Sequence, residues 1–327
     1  MSLETISLEK KEKIAIIRLN RPKLLNAVNE QLVWDFQEAT IDVKQDDLIK
    51  VVIITGAGRG FSAGADLSER NSSWSGSKDA LLRGYKPFFE SIISMPKPVI
   101  GAIAGPAAGI GAAIAMSCDL RVMSDDSYIL SVFSNIALVP DGGLSWYLPK
   151  FMGFAKAYEH AIEAKKISAE DCLKYGIANK VVSRDKLEKV TLEWAHKLSK
   201  RSSQSLNHTK RLMRESLEVG YWNTFHNEAE IQNELTVSDQ NKEATIQGTG
   251  NGPIDSFVNG LSEKIGVEIK VADYHQTAIS SGSDAKAAAY IELEKDGKTF
   301  WGVGIHPNTT RASFDAIIVG LSKLLES

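Results

Sequence analysis

Cysteine is almost absent. Cys118 and Cys172 are the only two in 327 residues, too few and too isolated for a disulfide framework or a thiolate metal site. An excess of either charge is missing as well: 38 Lys and Arg stand against 41 Asp and Glu, a formal net charge of -3. That balance gives no electrostatic reason to expect nucleic acid or an anionic membrane as a partner. Long apolar runs are lacking too. The opening MSLETISLEKKEKIAIIRLN alternates charge with short apolar stretches, so neither a signal peptide nor a membrane span is expected. These absences fit a cytoplasmic protein whose partner is a small molecule or another protein, with no metal.

What is present is ordinary for a globular chain: 43% hydrophobic and 24% charged residues, with enough length for one large domain or two. KIAIIRL and IKVVIITG read as buried strands, and NEQLVWDFQEATIDVKQ between them has helical apolar spacing with Asn29 as its cap. PKPVIGAIAG repeats the short strand entering a glycine turn, followed by the small-residue helix GIGAAIAMSCDL. Strand, helix, strand order implies parallel strands joined by crossovers. From Tyr147 to about Gln240 the chain reads as mostly helical, and the basic stretch SQSLNHTKRLM reads as a solvated helix face. At about Ala244 the composition changes. TIQGTGNGPIDSFVNGLSEKIG is a glycine-rich turn entering a helix, VEIKVADYHQTA and AKAAAYIELEKDGKTFWGVGI are alternating strands with a KDGK hairpin, and an amphipathic helix closes the chain. A larger domain over 1–243 and a smaller α+β domain over 244–327 are expected.

One charge stands out. In SNIALVPDGGLSWYLP, Asp141 is the only formal charge, set between a proline and two glycines. Such a carboxylate either caps the helix that follows or serves as an acid or base.

Three motifs bear on the choice. RGFSAGADL (59–67), PKPVIGAIAGPAAGIGAAIAMSCDLRVMS (96–124) and NIALVPDGGLSWYLPKFMG (135–153) occur in the order and at about the spacing of the enoyl-CoA hydratase/isomerase superfamily, the crotonases. With NRPKLLNAV early and KKISAEDCLKYGIANKVV late, the resemblance covers about residues 3–240. It implies an α/β fold with a repeated ββα spiral core and a helical C-terminal part. It also implies an acyl-CoA thioester substrate, coenzyme A entering only as part of that substrate, with no separate bound cofactor. By the same resemblance two backbone N–H groups, of Ala65 and Ile110, form the oxyanion hole, although Ile110 replaces the smaller residue usual in the family. Ala63, Gly64, Asp66, Leu67, Gly109, Pro140, Gly142, Tyr85 and Phe133 are the expected substrate-binding residues, and Trp74, in the polar segment 68–82, is a candidate lid.

Hydration across a double bond uses paired carboxylates in the typical hydratase. The two corresponding positions hold Ala113 and Phe133. Asp141 instead matches the aspartate of the branch resembling the ring-opening isomerase of phenylacetate degradation. The expectation is therefore an isomerase that moves a double bond with one proton shuttle, its pKa raised by Ile136, Leu138, Val139 and Trp146. A dehalogenase or hydrolase using Asp141 as nucleophile or base is the alternative, as is a weakly catalytic acyl-CoA-binding protein that senses an amino acid.

Residues 244–327 resemble the leucine-binding regulatory domain of 2-isopropylmalate synthase. The resemblance implies a leucine-like effector near Gly250, Asn251, Gly252 and Pro253, with Asp284 and Ala285 from the second half of the unit. Because crotonase cores pack three-fold and the synthase domain pairs two-fold, a homo-oligomer is expected, a trimer or a hexamer of D3 symmetry.

Overall fold

The computed structural model describes residues 3–69, 73–240, 246–279 and 285–325. The chain divides into two compact units, Met1–Thr236 and Val237–Ser327.

In the first unit, β1 (Ile6–Lys11) and β2 (Ile14–Leu19) form an antiparallel hairpin. The helix α1 (Glu30–Gln45) then crosses over to β3 (Val51–Gly56), parallel to β2. Asn29 starts α1 by accepting a hydrogen bond from the Leu32 amide at 3.1 Å, which satisfies one of the orphan donors of a first turn. A short turn α2 (Ser77–Asp79), a π-helical turn Ala80–Tyr85 and α3 (Lys86–Ile93) lead to β4 (Val99–Ile103). After β5 (Pro106–Ala108), α4 (Ile110–Ser117) and β6 (Leu120–Ser124), the main sheet has the order β1-β2-β3-β4-β6 and is closed by β9 (Lys180–Val182). Every residue of β3 and β4 is buried, as an all-parallel interior strand with both faces covered requires. A second sheet of β5, β7 (Tyr128–Leu130) and β8 (Lys166–Ser168) stands beside it.

The helices that follow are α5 (Leu144–Met152), α6 (Phe154–Ile162), α7 (Ala169–Lys174), α8 (Leu187–Leu198), α9 (Ser203–Glu215) and α10 (Tyr221–Gln240), the last running past the end of this unit at Thr236. The stretch expected to be mostly helical thus contains two strands, β8 and β9. Each has three residues, too few to display an alternating pattern against the helical background.

Helix α4 is buried along its whole length, and its C-terminal carbonyls are held by a charge. Arg121 donates to the carbonyls of Ala115 (3.3 Å), Met116 (3.2 Å) and Cys118 (2.6 Å), and to that of Ile177. A cation there compensates the negative end of the helix dipole. The basic stretch 203–213 is not simply a solvated face. Lys210 (2.8 Å) and, one residue beyond that stretch, Arg214 (2.7 Å) both reach the Asp119 carboxylate, which also accepts from the Val99 amide at 2.8 Å. Removing Asp119 strands two partly buried cations. Asp119→Ala is therefore expected to cost about 3 kcal/mol, read as a lower urea midpoint at an unchanged m-value. Cys118 and Cys172 are buried, and burial pushes both thiols up to about 12.

The second unit is an antiparallel sheet β10 (Lys270–Ala278), β11 (Ala287–Lys295) and β12 (Lys298–His306) with α11 (Pro253–Ile265) and α12 (Thr309–Leu325). The KDGK hairpin closes on the pair Lys295 and Lys298, with Asp296 (φ 51°) and Gly297 (φ 77°) both left-handed, the geometry of a type I′ turn. In WGVGI, Gly302 and Gly304 let α12 lie directly on the strand: a Cβ on either would stand within about 2 Å of the Ala316 or Ala312 carbonyl oxygen. Phe257 of α11 stacks on Phe314 of α12, ring centroids 4.3 Å apart. Among the described residues no helix is long and apolar enough to cross a membrane.

Candidate active site

The loop after β3 and the turn between β5 and α4 are pressed together by small residues. Ser62 pairs with Ala107 as an isolated bridge, and the Ala108 amide donates to the Ser62 carbonyl at 2.9 Å. A Cβ on Gly111 would lie 2.5 Å from the Ser62 carbonyl oxygen, and one on Gly64 (φ +102°) 2.9 Å from that of Ala108. Gly109, at φ +52° and ψ -126°, adopts a backbone that side chains disfavour.

The consequence is a pair of free donors. Around Ala65 the chain is tied, with Val28 N–H donating to the Gly64 carbonyl and Asp66 N–H to that of Val28. Gly109 N–H donates to Leu130. Among the described residues the Ala65 and Ile110 amides have no hydrogen-bond partner, and both residues line one cavity of about 460 Å³. Ile110 is the first residue of α4, where the dipole favours an anion.

Asp141 reaches the same cavity from the other side. It follows a 3-10 turn Phe133–Ile136 and precedes Gly142 (φ 59°) and Gly143 (φ 89°). The residue capping α5 is Gly143, with no side-chain cap. The Asp141 carbonyl accepts from Leu144 N–H at 3.1 Å, but its carboxylate caps nothing, and Oδ1 is buried without a partner. Desolvation alone raises its pKa from 3.8 to about 6.

Two further carboxylates line the cavity, and both are engaged. Asp66 is paired with Arg21 at 2.8 Å and accepts from the Ser68 hydroxyl at 2.6 Å. Glu69, which the motifs gave no reason to single out, accepts from the Glu30 amide at the start of α1 at 3.2 Å. Only Asp141 is left unpaired among the three.

Of the residues expected at the site, Ala63, Gly64, Ala65, Asp66, Leu67, Tyr85, Gly109, Ile110, Phe133 and Asp141 are brought together around this cavity. Pro140 and Gly142 are not among its lining residues. Gly142 faces a neighbouring cavity, and the Pro140 carbonyl accepts from the Ser145 hydroxyl at 3.3 Å. Ile136, Leu138 and Val139 line the cavity yet stay exposed, Val139 at 77%, and Trp146 lines the neighbouring one. Trp74 packs on Gly84 and lies 5.6 Å from the Tyr85 ring, so it is part of the wall. Within the expected loop 68–82, residues 70–72 lie outside the described residues. Tyr85 is buried, and desolvation together with the nearby Asp141 charge raises its phenol pKa.

In the second unit a cavity of about 610 Å³ is lined by Gly252 and Pro253 together with Asp255, Asn259, Lys270 and Tyr274. Gly250, Asn251 and Ala285 do not line it, and Asp284 lies outside the described residues. The Asn251 N–H expected to meet an effector donates instead to the Asp255 carboxylate at 2.8 Å.

The model of the enoyl-CoA hydratase/isomerase family matches residues 9–249. The chain belongs to that family. It is 31% identical over 223 residues to a 1,2-epoxyphenylacetyl-CoA isomerase of Escherichia coli (strain K12), covering 67% of this chain and 84% of that protein. It is 30% identical over 234 residues to a 4-chlorobenzoyl coenzyme A dehalogenase-2 of Arthrobacter sp, covering 70% and 83%. The crystal structure of an enoyl-CoA hydratase from Polaromonas sp. JS666 superposes with a TM-score of 0.67 at 28% identity, over 72% of this chain and 92% of that one. The LeuA allosteric (dimerisation) domain model matches residues 189–325. The two matches overlap, but α8 packs on β3, β4 and β6, so residues 187–198 are built into the enoyl-CoA hydratase/isomerase unit.

This enoyl-CoA hydratase/isomerase chain is thus a crotonase-family acyl-CoA enzyme with a LeuA-type C-terminal part. Ala113 is buried beneath Gly142, and Phe133 lines the cavity. Neither brings a carboxylate to it.

Proposed function

We propose that the enzyme moves a double bond within an unsaturated acyl-CoA thioester, with Asp141 as the only proton carrier. The observation that carries this reading is an unpaired, desolvated carboxylate in the same cavity as two unpaired backbone N–H groups. With a 3-enoyl thioester, Asp141 takes a proton from C2. The electron pair of that C–H bond spreads over C2, C3, C4 and the thioester oxygen as a dienolate. The Ala65 and Ile110 amides stabilise the oxyanion as it forms. Asp141 then returns the proton to C4, leaving the double bond between C2 and C3.

A base of pKa about 6 is ionised at neutral pH and close enough to it to give the proton back. The expected kcat/KM for a 3-enoyl-CoA is level above pH 7 and falls tenfold per pH unit well below 6. A flat profile from pH 5 to 8 would argue against Asp141 as the base.

The similarity to the dehalogenase keeps a nucleophilic role for Asp141 as the second reading. Turnover in ¹⁸O-water separates them: label in the Asp141 carboxylate marks a covalent intermediate, whereas a shuttle leaves it unlabelled.

In the same proposal residues 1–243 carry the acyl-CoA chemistry and 244–327 the pairing and regulation, in a cytoplasmic trimer or D3 hexamer. A leucine-like effector would have to displace the Asp255 carboxylate from the Asn251 amide to use the glycine turn.

A further inference from the structure

Where α8 packs on the main sheet, a cavity of about 200 Å³ opens at the C-terminal ends of the parallel strands β2, β3 and β4. It shares no lining residue with the Asp141 cavity. The carboxyl ends of parallel strands are where open α/β sheets receive ligands, and the proton shuttle does not use this place. Ile16, Ile53, Ala102 and Leu187 give the cavity an apolar lining.

Its polar groups can be accounted for one by one. The Thr55 hydroxyl donates to the Ala102 carbonyl at 2.9 Å and the Thr191 hydroxyl to that of Leu187 at 2.7 Å, so both are satisfied. The guanidinium groups are not. Arg18, half-buried near the end of β2, has no hydrogen bond or ion pair among the described residues, and the charge of Lys11 nearby repels it. Arg184 is held in place by Asp126, whose carboxylate meets Nε at 2.9 Å and Nη2 at 2.8 Å, while Nη2 also donates to the Arg59 carbonyl at 3.0 Å. Its Nη1 has no acceptor among the described residues. Glu188 is the one acidic residue of the lining, is exposed, and pairs with neither arginine.

Two guanidinium groups thus stand against one carboxylate, with N–H donors that no protein acceptor meets. Such donors call for an anion, held by charge-assisted hydrogen bonds. A carboxylate is satisfied by the fork of a single arginine, whereas the several oxygens of a phosphate can be shared between two. Volume limits the size of the ligand. The cavity lies below the roughly 300 Å³ at which sites for drug-sized ligands begin, which leaves no room for a nucleotide.

We propose that this cavity is an anion site, separate from the acyl-CoA site, that takes inorganic phosphate or the phosphoryl group of a small monoester, shared by Arg18 and Arg184.

The test titrates inorganic phosphate calorimetrically into the full chain at low ionic strength, with and without saturating butanoyl-CoA. One phosphate per chain is expected, bound equally well in both conditions. Arg18→Gln, which breaks no contact within the protein, should weaken it by at least about tenfold. Glu188→Gln, which removes the opposing charge, should tighten it by about twofold to fivefold. Methyl phosphate tells the two sources apart: tighter binding than phosphate marks a monoester, weaker binding marks the free ion, and either result keeps the site. Absence of saturable binding by both, or an affinity unchanged in Arg18→Gln, would overturn the proposal. So would phosphate binding that disappears once butanoyl-CoA is present, since the anion would then belong to the acyl-CoA site. Acetate bound as tightly as phosphate would also overturn it, because one arginine would then suffice.

Discussion

Asp141→Asn is expected to lower kcat for double-bond migration by about 10²–10⁴-fold, the range supplied by a positioned general acid/base, with KM little changed. The amide has nearly the same size and sits where Oδ1 of the carboxylate makes no hydrogen bond, so the substitution breaks no contact there. The same substitution should make the protein more resistant to heat at pH 7. Burial raises the Asp141 pKa from 3.8 to about 6, so the folded state favours the protonated acid. Below about pH 4 the acid is neutral in both states and costs nothing. As pH rises from about 4 to 6 the unfolded chain releases the proton more readily, and the native state loses stability relative to it. Asparagine carries no such penalty. The Tm advantage of Asp141→Asn should therefore grow between pH 4 and 6 and stay level above that, tracked by thermal melts across the series. An advantage independent of pH would show that the carboxyl is not desolvated.

The second large effect belongs to the other half of the site. Gly109→Val is expected to reduce kcat by about 10²–10³-fold, as loss of an oxyanion donor does elsewhere. A side chain at φ +52° and ψ -126° is strained, and Val132 and Phe133 stand 3.4 and 3.8 Å from where its Cβ would be. The backbone must rotate, and the next amide along it is that of Ile110. Saturated acyl-CoA affinity should fall far less than kcat, because the oxyanion forms only during reaction. Equal losses in both would point to a collapsed cavity rather than a misdirected N–H.

How much of this was legible beforehand follows from what each feature depends on. The two amides came from the family resemblance, while the glycines of FSAGAD and AAGIG by themselves declare only the tight backbone approach that the structure shows at Gly64 and Gly111. The helix cap at Asn29 and the KDGK hairpin were readable because they are local. Contacts made across the chain were not. Nothing in SQSLNHTKRLM or the residue after it says that Lys210 and Arg214 turn inward to an aspartate more than 90 residues earlier. The exposure of Ile136, Leu138 and Val139 was hidden because apolar composition does not tell which face of a loop is covered. Gly142 was expected among the residues of one cavity and faces the next, since a one-residue step in a glycine turn reverses direction. The occupation of the Asn251 amide by Asp255 joins residues four apart and was within reach of the sequence. A carboxylate one turn into a helix is positioned to bend back onto the preceding loop.

The contact between Ala113 and Gly142 sets a limit on what this scaffold can become. A glutamate at 113 would restore one of the hydratase carboxylates, but it would grow from a methyl that packs so close to Gly142 that a Cβ there would stand 2.5 Å away. The two arrangements are alternatives of a single volume. Conversion toward hydration would call for redrawing the turn that carries Asp141, not for adding a residue beside it, and the loss of the present activity would come before the gain of the other.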